Sequence, residues 1–265
     1  YGVIQMNLKQ LLKTPLKALG LSLCLGASIP LMAATLTIGR ANEPQSIDPL
    51  FSRTGNNQMT AIHIYDRLIS TDQNVRIQPG LAERWENVNP TTWRIYLRKG
   101  VKWHDGRDLS AEDVLFSMER APNVPNSPAS FAGSVSSIKS MTIIDPHTIE
   151  MTSKKPDPLF INNIGTIYIM PKHIAESAVN ADYNSGKAAI GTGPYQFVEW
   201  LPGDRLVLKR NPNYWGARPA YDEVLMKFIS NDAARVAALL SGSVDLIDLV
   251  PPSDVQMLRK DPRFS

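Results

Sequence analysis

The stretch from Gly191 to Gly216, GTGPYQFVEWLPGDRLVLKRNPNYWG, which we call the opening stretch, constrains the fold of this chain more than any other. Its first half is rich in aromatic and β-branched residues, and its second half alternates apolar and basic residues, which are the patterns of strands. Pro202-Gly203-Asp204 between the halves is a turn sequence. We therefore predict a hairpin of two strands, Tyr195–Trp200 and Arg205–Arg210, followed by an aromatic loop.

The amino-terminal segment has the pattern of a secretory signal. Lysines at positions 9, 13 and 17 precede an uncharged run from Ala18 to Ala34. The apolar part of this run is shorter than the ~20 residues that a membrane-spanning helix requires. We therefore predict that residues 1–34 comprise a read-through, Tyr1 to Gln5, and a cleavable signal peptide. The alternative is a membrane-anchored sensor domain that retains the segment.

The signal segment also accounts for the charge and the cysteine content. The chain has 28 basic and 25 acidic residues, so removal of the three lysines leaves 25 of each. This balance gives no reason to expect nucleic acid as a partner. The single cysteine, Cys24, follows Leu23 where a lipid-attachment site has a small residue. We therefore predict a protein without a disulfide and without a lipid anchor.

Apolar spacing predicts a helix over Asn57–Leu68, capped by Asn56 or Asn57. Its apolar residues fall three and four positions apart: Met59, Ile62, Tyr65 and Leu68 or Ile69. Alternation over residues 93–98 predicts a half-buried strand. Ser110 followed by Asp113 predicts a helix that opens with a capping box.

The remaining patterns predict a loop over residues 121–137 and a hairpin over 141–152. A strand over Val224–Ile229, a helix capped by Asp232 and a strand over Val244–Val250 together predict a βαβ unit. Ser253 is predicted to cap a last helix. The alternation of strands and helices indicates a mixed α/β protein.

Four stretches resemble, in their order and spacing, the extracytoplasmic solute-binding proteins of family 5, which capture peptides, nickel and related solutes for ABC transporters. These stretches are Asn42–Pro49, Leu81–Gly106, Leu109–Val114 and Gly191–Gly216. The resemblance implies an α/β fold of the periplasmic binding protein type (type II, cluster C). In that fold this chain is the first lobe, with a mixed sheet and an inserted α+β subdomain, and the second lobe is missing.

The resemblance also implies how the first lobe is divided. The core α/β subdomain comprises residues 35–50 and 190–265, and the inserted subdomain comprises residues 51–189. The predicted elements indicate the same division. A short strand is predicted at Thr35–Gly39, and this strand and the βαβ unit lie on either side of the long inserted segment.

The function implied by the resemblance is that of the periplasmic substrate-binding component of an ABC importer. Closure of two lobes captures a di- or oligopeptide, which a monomer without cofactor delivers to the permease subunits. The alternative solutes within the family are nickel, haem or an oligosaccharide. A secreted hydrolase is the alternative of another class, but the chain has neither Gly-x-Ser-x-Gly nor His-Glu-x-x-His.

Solute contacts are expected on loops at strand ends. Similarity to the family suggests these positions: Asn42, Glu43, Pro44, Ser46, Ser130, Phe131, Gly165, Thr166 and Ile167. A structural interpretation competes at each, with Glu43 as a solvated loop residue and Phe131 as a core residue.

No catalytic and no metal-binding residue is assigned. The four histidines are far apart in sequence, and His104-Asp105 is interpreted as the start of a turn. The five tryptophans are interpreted as packing residues: Trp85, Trp93, Trp103, Trp200 and Trp215.

Overall fold

The computed structural model describes residues 4–5 and 34–264. The predicted signal peptide and Cys24 lie outside these ranges, so their predictions stay predictions. None of the helices in the described ranges is long and apolar enough to cross a membrane.

The strands occur throughout the described residues. In chain order they are β1 (Ile4–Gln5), β2 (Thr35–Arg40), β3 (Ile69–Thr71), β4 (Ile77–Pro79), β5 (Ala82–Asn89), β6 (Thr92–Leu97), β7 (Ile138–Asp145), β8 (Thr148–Ser153), β9 (Tyr195–Leu201), β10 (Arg205–Arg210), β11 (Glu223–Phe228) and β12 (Leu246–Ile247).

The helices are short and lie between groups of strands. They are α1 (Gly55–Ile64), α2 (Ala111–Arg120), α3 (Ala132–Val135), α4 (Phe160–Ile164), α5 (Lys172–Ala175), α6 (Asn180–Asn184), α7 (Asp232–Leu240) and α8 (Pro252–Lys260). The structure is therefore mixed α/β, as predicted.

The chain forms two compact units. Unit 1 comprises residues 1–42, 203–205 and 220–265, and unit 2 comprises 43–202 and 206–219. The bounds differ from those expected for the two subdomains, because residues 43–50, 190–202 and 206–219 belong to unit 2. The subdomain division of the lobe stays a prediction.

Unit 1 contains a mixed sheet in the order β1-β12-β2-β11. Strands β11 and β12 both pair with β2 in parallel, and β1 pairs with β12 antiparallel. The predicted βαβ unit is confirmed as β11-α7-β12, although its last strand spans only Leu246–Ile247. Its buried core comprises Val236, Leu239, Val244, Ile247, Leu258 and Phe264.

Two predicted helix caps in unit 1 are wrong. Asn231, and not Asp232, caps α7, because its Oδ1 accepts a hydrogen bond from the Ala234 amide at 2.9 Å. Helix α8 begins at Pro252 after Pro251, and the Ser253 side chain does not cap it. Proline suits a first helical position because its missing N–H has no partner there.

Unit 2 contains an antiparallel sheet in the order β5-β6-β8-β7 and a separate hairpin of β3 and β4. Strand β6 and the β7–β8 hairpin confirm their predictions, as does α2. In the capping box of α2, the Ser110 amide donates to Asp113 Oδ2 at 2.9 Å. The predicted loop over 121–137 contains the short helix α3.

Helix α1 differs from its prediction in both limits and buried face. It starts after Thr54 and ends at Ile64. Met59 and Ile62, expected to face the core, are 51% and 56% exposed. Asn57 and Thr60 are buried instead. The periodicity failed here because Asn57 serves a neighbouring loop, as described below.

The hairpin predicted from the opening stretch is confirmed as β9 and β10, which are neighbours in their sheet. Gly203 in the connecting turn has φ of 76°, a conformation that glycine adopts without steric cost.

Candidate functional site

The carboxyl ends of the parallel strands in unit 1 carry a cluster of buried charges. Arg40, at the end of β2, donates from Nε to Asp248 Oδ2 at 2.8 Å. Arg235 of α7 is fully buried and donates to the carbonyl oxygens of Ile229, Asp248 and Leu249. The cluster fixes the edge from which the predicted contact residue Asn42 emerges. Asn42 itself is exposed.

The loop that follows holds Ser46 in a closed hydrogen-bond network of unit 2. The Ser46 hydroxyl contacts the side-chain oxygens of Asn180 and Asn184 and accepts from the Asp48 amide at 3.0 Å. Ser46 is only 2% exposed. In this unit its hydroxyl fixes the loop to α6, which supports the structural interpretation of this position.

Two buried side chains hold the backbone of the same loop. Asn57 Oδ1 accepts from the Gln45 amide at 2.9 Å, and its Nδ2 donates to the Ser46 carbonyl at 3.0 Å. The Asp48 carboxylate accepts two hydrogen bonds from Arg120, from Nη1 to Oδ1 at 3.1 Å and from Nη2 to Oδ2 at 2.6 Å. The loop therefore has a defined shape without a bound solute. Within it Glu43 is half-buried and Pro44 buried.

The predicted loop at Ser130 and Phe131 lies beside the segment that precedes α1. Ser52 forms a parallel bridge with Ala129, and the Arg53 amide donates to the Ala129 carbonyl at 3.0 Å. Ser130 is exposed, whereas Phe131 is only 1% exposed and lies 5.8 Å from the Arg53 guanidinium carbon. Phe131 thus packs in unit 2, whereas Ser130 is exposed and its Oγ accepts from the Ala132 amide at 3.1 Å.

The Gly165–Ile167 segment meets the Ser130 loop. Thr166 Oγ1 donates to Ser134 Oγ and lies 2.8 Å from both that atom and the Asn163 carbonyl. Ile167 is fully buried. A Cβ on Gly165 would lie 2.9 Å from Ile69 Cβ, so the glycine allows close packing. Two of the predicted loops are therefore brought together in unit 2, while Ser46 is held by α6 and Asn42 belongs to unit 1.

His104 holds the start of the opening stretch. Its Nδ1 accepts from the Gly191 amide at 3.2 Å, its Nε2 lies 3.1 Å from the Gly193 carbonyl, and its own amide donates to the Gly191 carbonyl at 2.9 Å. Burial lowers the pKa of His104 from its ordinary value of 6.5 to about 4. Asp105 instead contacts His173, at 2.7 Å. His104 and Asp105 thus have separate structural partners.

Because folding depresses the pKa of His104, the neutral ring stabilises the folded chain. We expect this contribution, about 3 kcal/mol, to be complete above pH 6.5 and to be lost as the pH falls towards 4. Two charged neighbours act on the ring: Asp105 raises the pKa of His104, and Lys209 lowers it. Urea unfolding of the full chain at several pH values would measure how the free energy of unfolding changes with pH.

The His104→Gln variant should be less stable than the parent at pH 7 and should lose less free energy of unfolding between pH 6.5 and 4. His147→Gln, at a half-buried position in the turn between β7 and β8, serves as the control because it leaves the Gly191 contacts intact. An unchanged slope in His104→Gln would contradict this account.

The structural roles of His104 and Asp66 were not predicted from sequence motifs. Asp66 Oδ2 accepts from Thr192 Oγ1 at 2.9 Å and from Trp215 Nε1 at 2.8 Å. Burial raises the pKa of this carboxyl group, and the hydrogen bonds from Trp215 and Thr192 oppose the rise. Asp66 thus joins the end of α1 to both ends of the opening stretch. Trp215 is a packing residue, as predicted.

The described residues contain no group of three or more histidine, cysteine, aspartate or glutamate side chains that could hold a metal ion.

Comparisons with known proteins show which family this chain resembles. The sequence profile described as "Bacterial extracellular solute-binding proteins, family 5 Middle" matches residues 76–265. The chain is 27% identical over 280 residues to the dipeptide-binding protein of Escherichia coli, covering 94% of this chain and 51% of that relative. It is 29% identical over 240 residues to the oligopeptide-binding protein AppA of Bacillus subtilis, covering 88% and 44%. The chain spans about half the length of these relatives.

Solved structures give the same result. The periplasmic binding protein DppA from Helicobacter pylori, in complex with the peptide STSA, matches with a TM-score of 0.76 and 28% identity, covering 86% of this chain and 49% of that one. NikZ from Campylobacter jejuni, in complex with Ni(L-His), matches with a TM-score of 0.74 and 28% identity, covering 86% and 45%.

Proposed function

Because the chain belongs to the bacterial extracellular solute-binding proteins of family 5, we propose that it is the substrate-binding component of an ABC importer and that it captures di- or oligopeptides. The match of the family profile to residues 76–265 is the observation that carries this proposal. The same comparisons confirm the predicted α/β periplasmic binding protein fold. The family consists of solute-binding proteins, which are not enzymes.

Relatives with stated solutes support a peptide. The similar proteins of Escherichia coli and Bacillus subtilis are described as dipeptide- and oligopeptide-binding. The similar DppA structure holds a four-residue peptide. Relatives of this family act in the periplasm, and we propose the same location here, reached through a cleaved signal and without a lipid anchor.

The mechanism we propose is capture by closure. A solute that contacts two lobes favours the closed form over the open one by its difference in affinity. The closed monomer then docks on the permease, and no bond is made or broken. The predicted contact positions of unit 2 fit a receptor, since its loops are already fixed by Asn57, Asp48 and Ser134 and lose little freedom on binding.

Co-purification tests the solute class. The complete protein, isolated from the periplasm and denatured, should release peptides that mass spectrometry identifies, and calorimetry with those peptides should show saturable binding. Ser130→Trp, which places a large side chain at the exposed loop, should weaken binding at least about tenfold. Ser136→Trp is the matched control, because Ser136 is also exposed and close in sequence. Recovery of a sugar and no peptide would overturn the peptide assignment.

Nickel is the second candidate, favoured by the similarity to NikZ with its bound Ni(L-His). Elemental analysis of the same preparation distinguishes the two. Stoichiometric nickel without peptide would support this alternative.

A further inference from the structure

A cavity of about 210 Å³ opens in unit 2 between α1, the β3–β4 hairpin and the region of α4. Ile69 and Ile77 form apolar parts of its wall, and Thr71 and Asn162 supply polar groups. A cavity of ~150 Å³ with apolar walls accommodates benzene in another protein. This one therefore has room for a six-membered ring with a short side chain.

Arg67 lines this cavity, which we call the Arg67 cavity. Its Nη2 donates to Gln58 Oε1 at 2.5 Å and to the Tyr168 hydroxyl at 2.7 Å. The guanidinium carbon lies 4.1 Å from the centroid of the Tyr168 ring. These contacts fix the orientation of the guanidinium, which is the condition for directional recognition of a ligand.

Within the described residues, the positive charge of Arg67 has no acidic partner. Among residues 34–264, no carboxylate oxygen lies within 4.0 Å of its guanidinium nitrogens, and its buried Nε has no hydrogen-bond acceptor. The neighbouring Asp66 also lines the cavity, but its carboxylate accepts from Thr192 and Trp215. The protein groups in this part of the chain therefore do not use the full donor capacity of Arg67.

We propose that the Arg67 cavity binds a small carboxylate with an apolar body, such as an aryl or branched alkyl carboxylate. The carboxylate would accept from the uncommitted N–H groups of Arg67, since guanidinium and carboxylate form short, charge-assisted hydrogen bonds. The apolar body would lie against Ile69 and Ile77. Unit 2 alone forms the cavity, and its lining includes two of the predicted solute contacts, Gly165 and Thr166. The proposal concerns small carboxylates and does not depend on whether the transported solute is a peptide.

The test uses 3-phenylpropionate and its uncharged amide, 3-phenylpropanamide, as probes of the full chain labelled at its isoleucine methyl groups. The acid should shift the NMR signals of Ile69 and Ile77 in a saturable way. The affinity for the amide should be lower than the affinity for the acid by at least about tenfold, because the amide lacks the charge that strengthens the hydrogen bond.

Three variants locate the effect. Arg67→Gln should weaken binding of the acid about tenfold and leave the amide unchanged. Thr71→Trp should abolish binding of both probes by filling the cavity, and folding should survive because Thr71 is exposed. Gln73→Trp, exposed on the same hairpin but outside the cavity, should bind as the parent does.

Several results would overturn the proposal: no shift with the acid, equal affinity for acid and amide, or unchanged binding in Thr71→Trp. If Arg67→Gln is misfolded, as judged by methyl signals far from the cavity, the comparison of acid with amide in the parent chain decides the matter.

Discussion

Gly191→Ala is expected to cost the full chain more than 4 kcal/mol of its free energy of unfolding. A Cβ at this position would lie 1.8 Å from the Ile64 carbonyl oxygen and 3.0 Å from a ring carbon of Tyr65. The carbonyl belongs to the end of α1 and cannot rotate away as a flexible side chain would. The clash therefore has to separate α1 from the opening stretch, and overpacking of backbone against backbone is among the costliest single changes.

Equilibrium unfolding in urea measures this loss. Gly55→Ala is the matched control, since nothing lies within 4 Å of a Cβ at Gly55 and alanine suits the first turn of a helix. That variant should stay within about 0.5 kcal/mol of the parent. A Gly191→Ala protein within 1 kcal/mol of the parent would show that α1 and the glycine do not pack as described.

Arg235→Met is expected to destabilise unit 1 by about 3–5 kcal/mol. The guanidinium of Arg235 is fully buried and supplies hydrogen bonds to four carbonyl oxygens and to Asp232 Oδ1, at distances from 2.7 to 3.4 Å. Methionine fills the space but donates nothing. The carbonyls of Ile229, Asp248 and Leu249 would then be left without this donor in the interior, where each costs desolvation energy.

Hydrogen exchange resolves where the effect lies. Amides of β2 and β11 should lose protection in Arg235→Met, and those of β6 and β8 in unit 2 should lose less. Arg259→Met on the exposed face of α8 is the control, expected within about 0.5 kcal/mol of the parent. Uniform loss of protection in both units would indicate that they unfold together and would contradict a local role.

Local chemistry was predictable from the sequence. The Ser110–Asp113 capping box lies within one helical turn, and the β9–β10 hairpin depends on its own turn residues. The family resemblance likewise followed from short motifs with fixed order. Interactions between residues that are close in sequence leave a local pattern, so they can be predicted from the sequence.

Long-range partners were not predictable. Asn57 is buried because its amide satisfies the backbone of residues 45 and 46, and no periodicity reports that need. Met59 and Ile62 are exposed in the same helix because the face that carries Asn57 is the buried one. His104 and Asp66 have no motif of their own. Their partners lie 87 to 149 residues away and become visible only in the folded structure.

The predicted contact positions show the same limit. Similarity pointed to loops, but it did not separate side chains that hold a loop from those that face solvent. Ser46 and Phe131 are 2% and 1% exposed in unit 2, whereas Ser130 is exposed. The sequence contained no local signal for that difference, because it depends on Asn184 and Arg53 from other segments.

The parallel pairing of β2 with β11 has a consequence for the order in which the chain folds. Thr35 and its partner Glu223 are separated by 188 residues, so this pair closes a long loop when it forms. The hairpins of unit 2 close much shorter loops, which cost less entropy and form faster. Unit 2 can therefore complete its fold first, and β2 is among the last strands to find its partners.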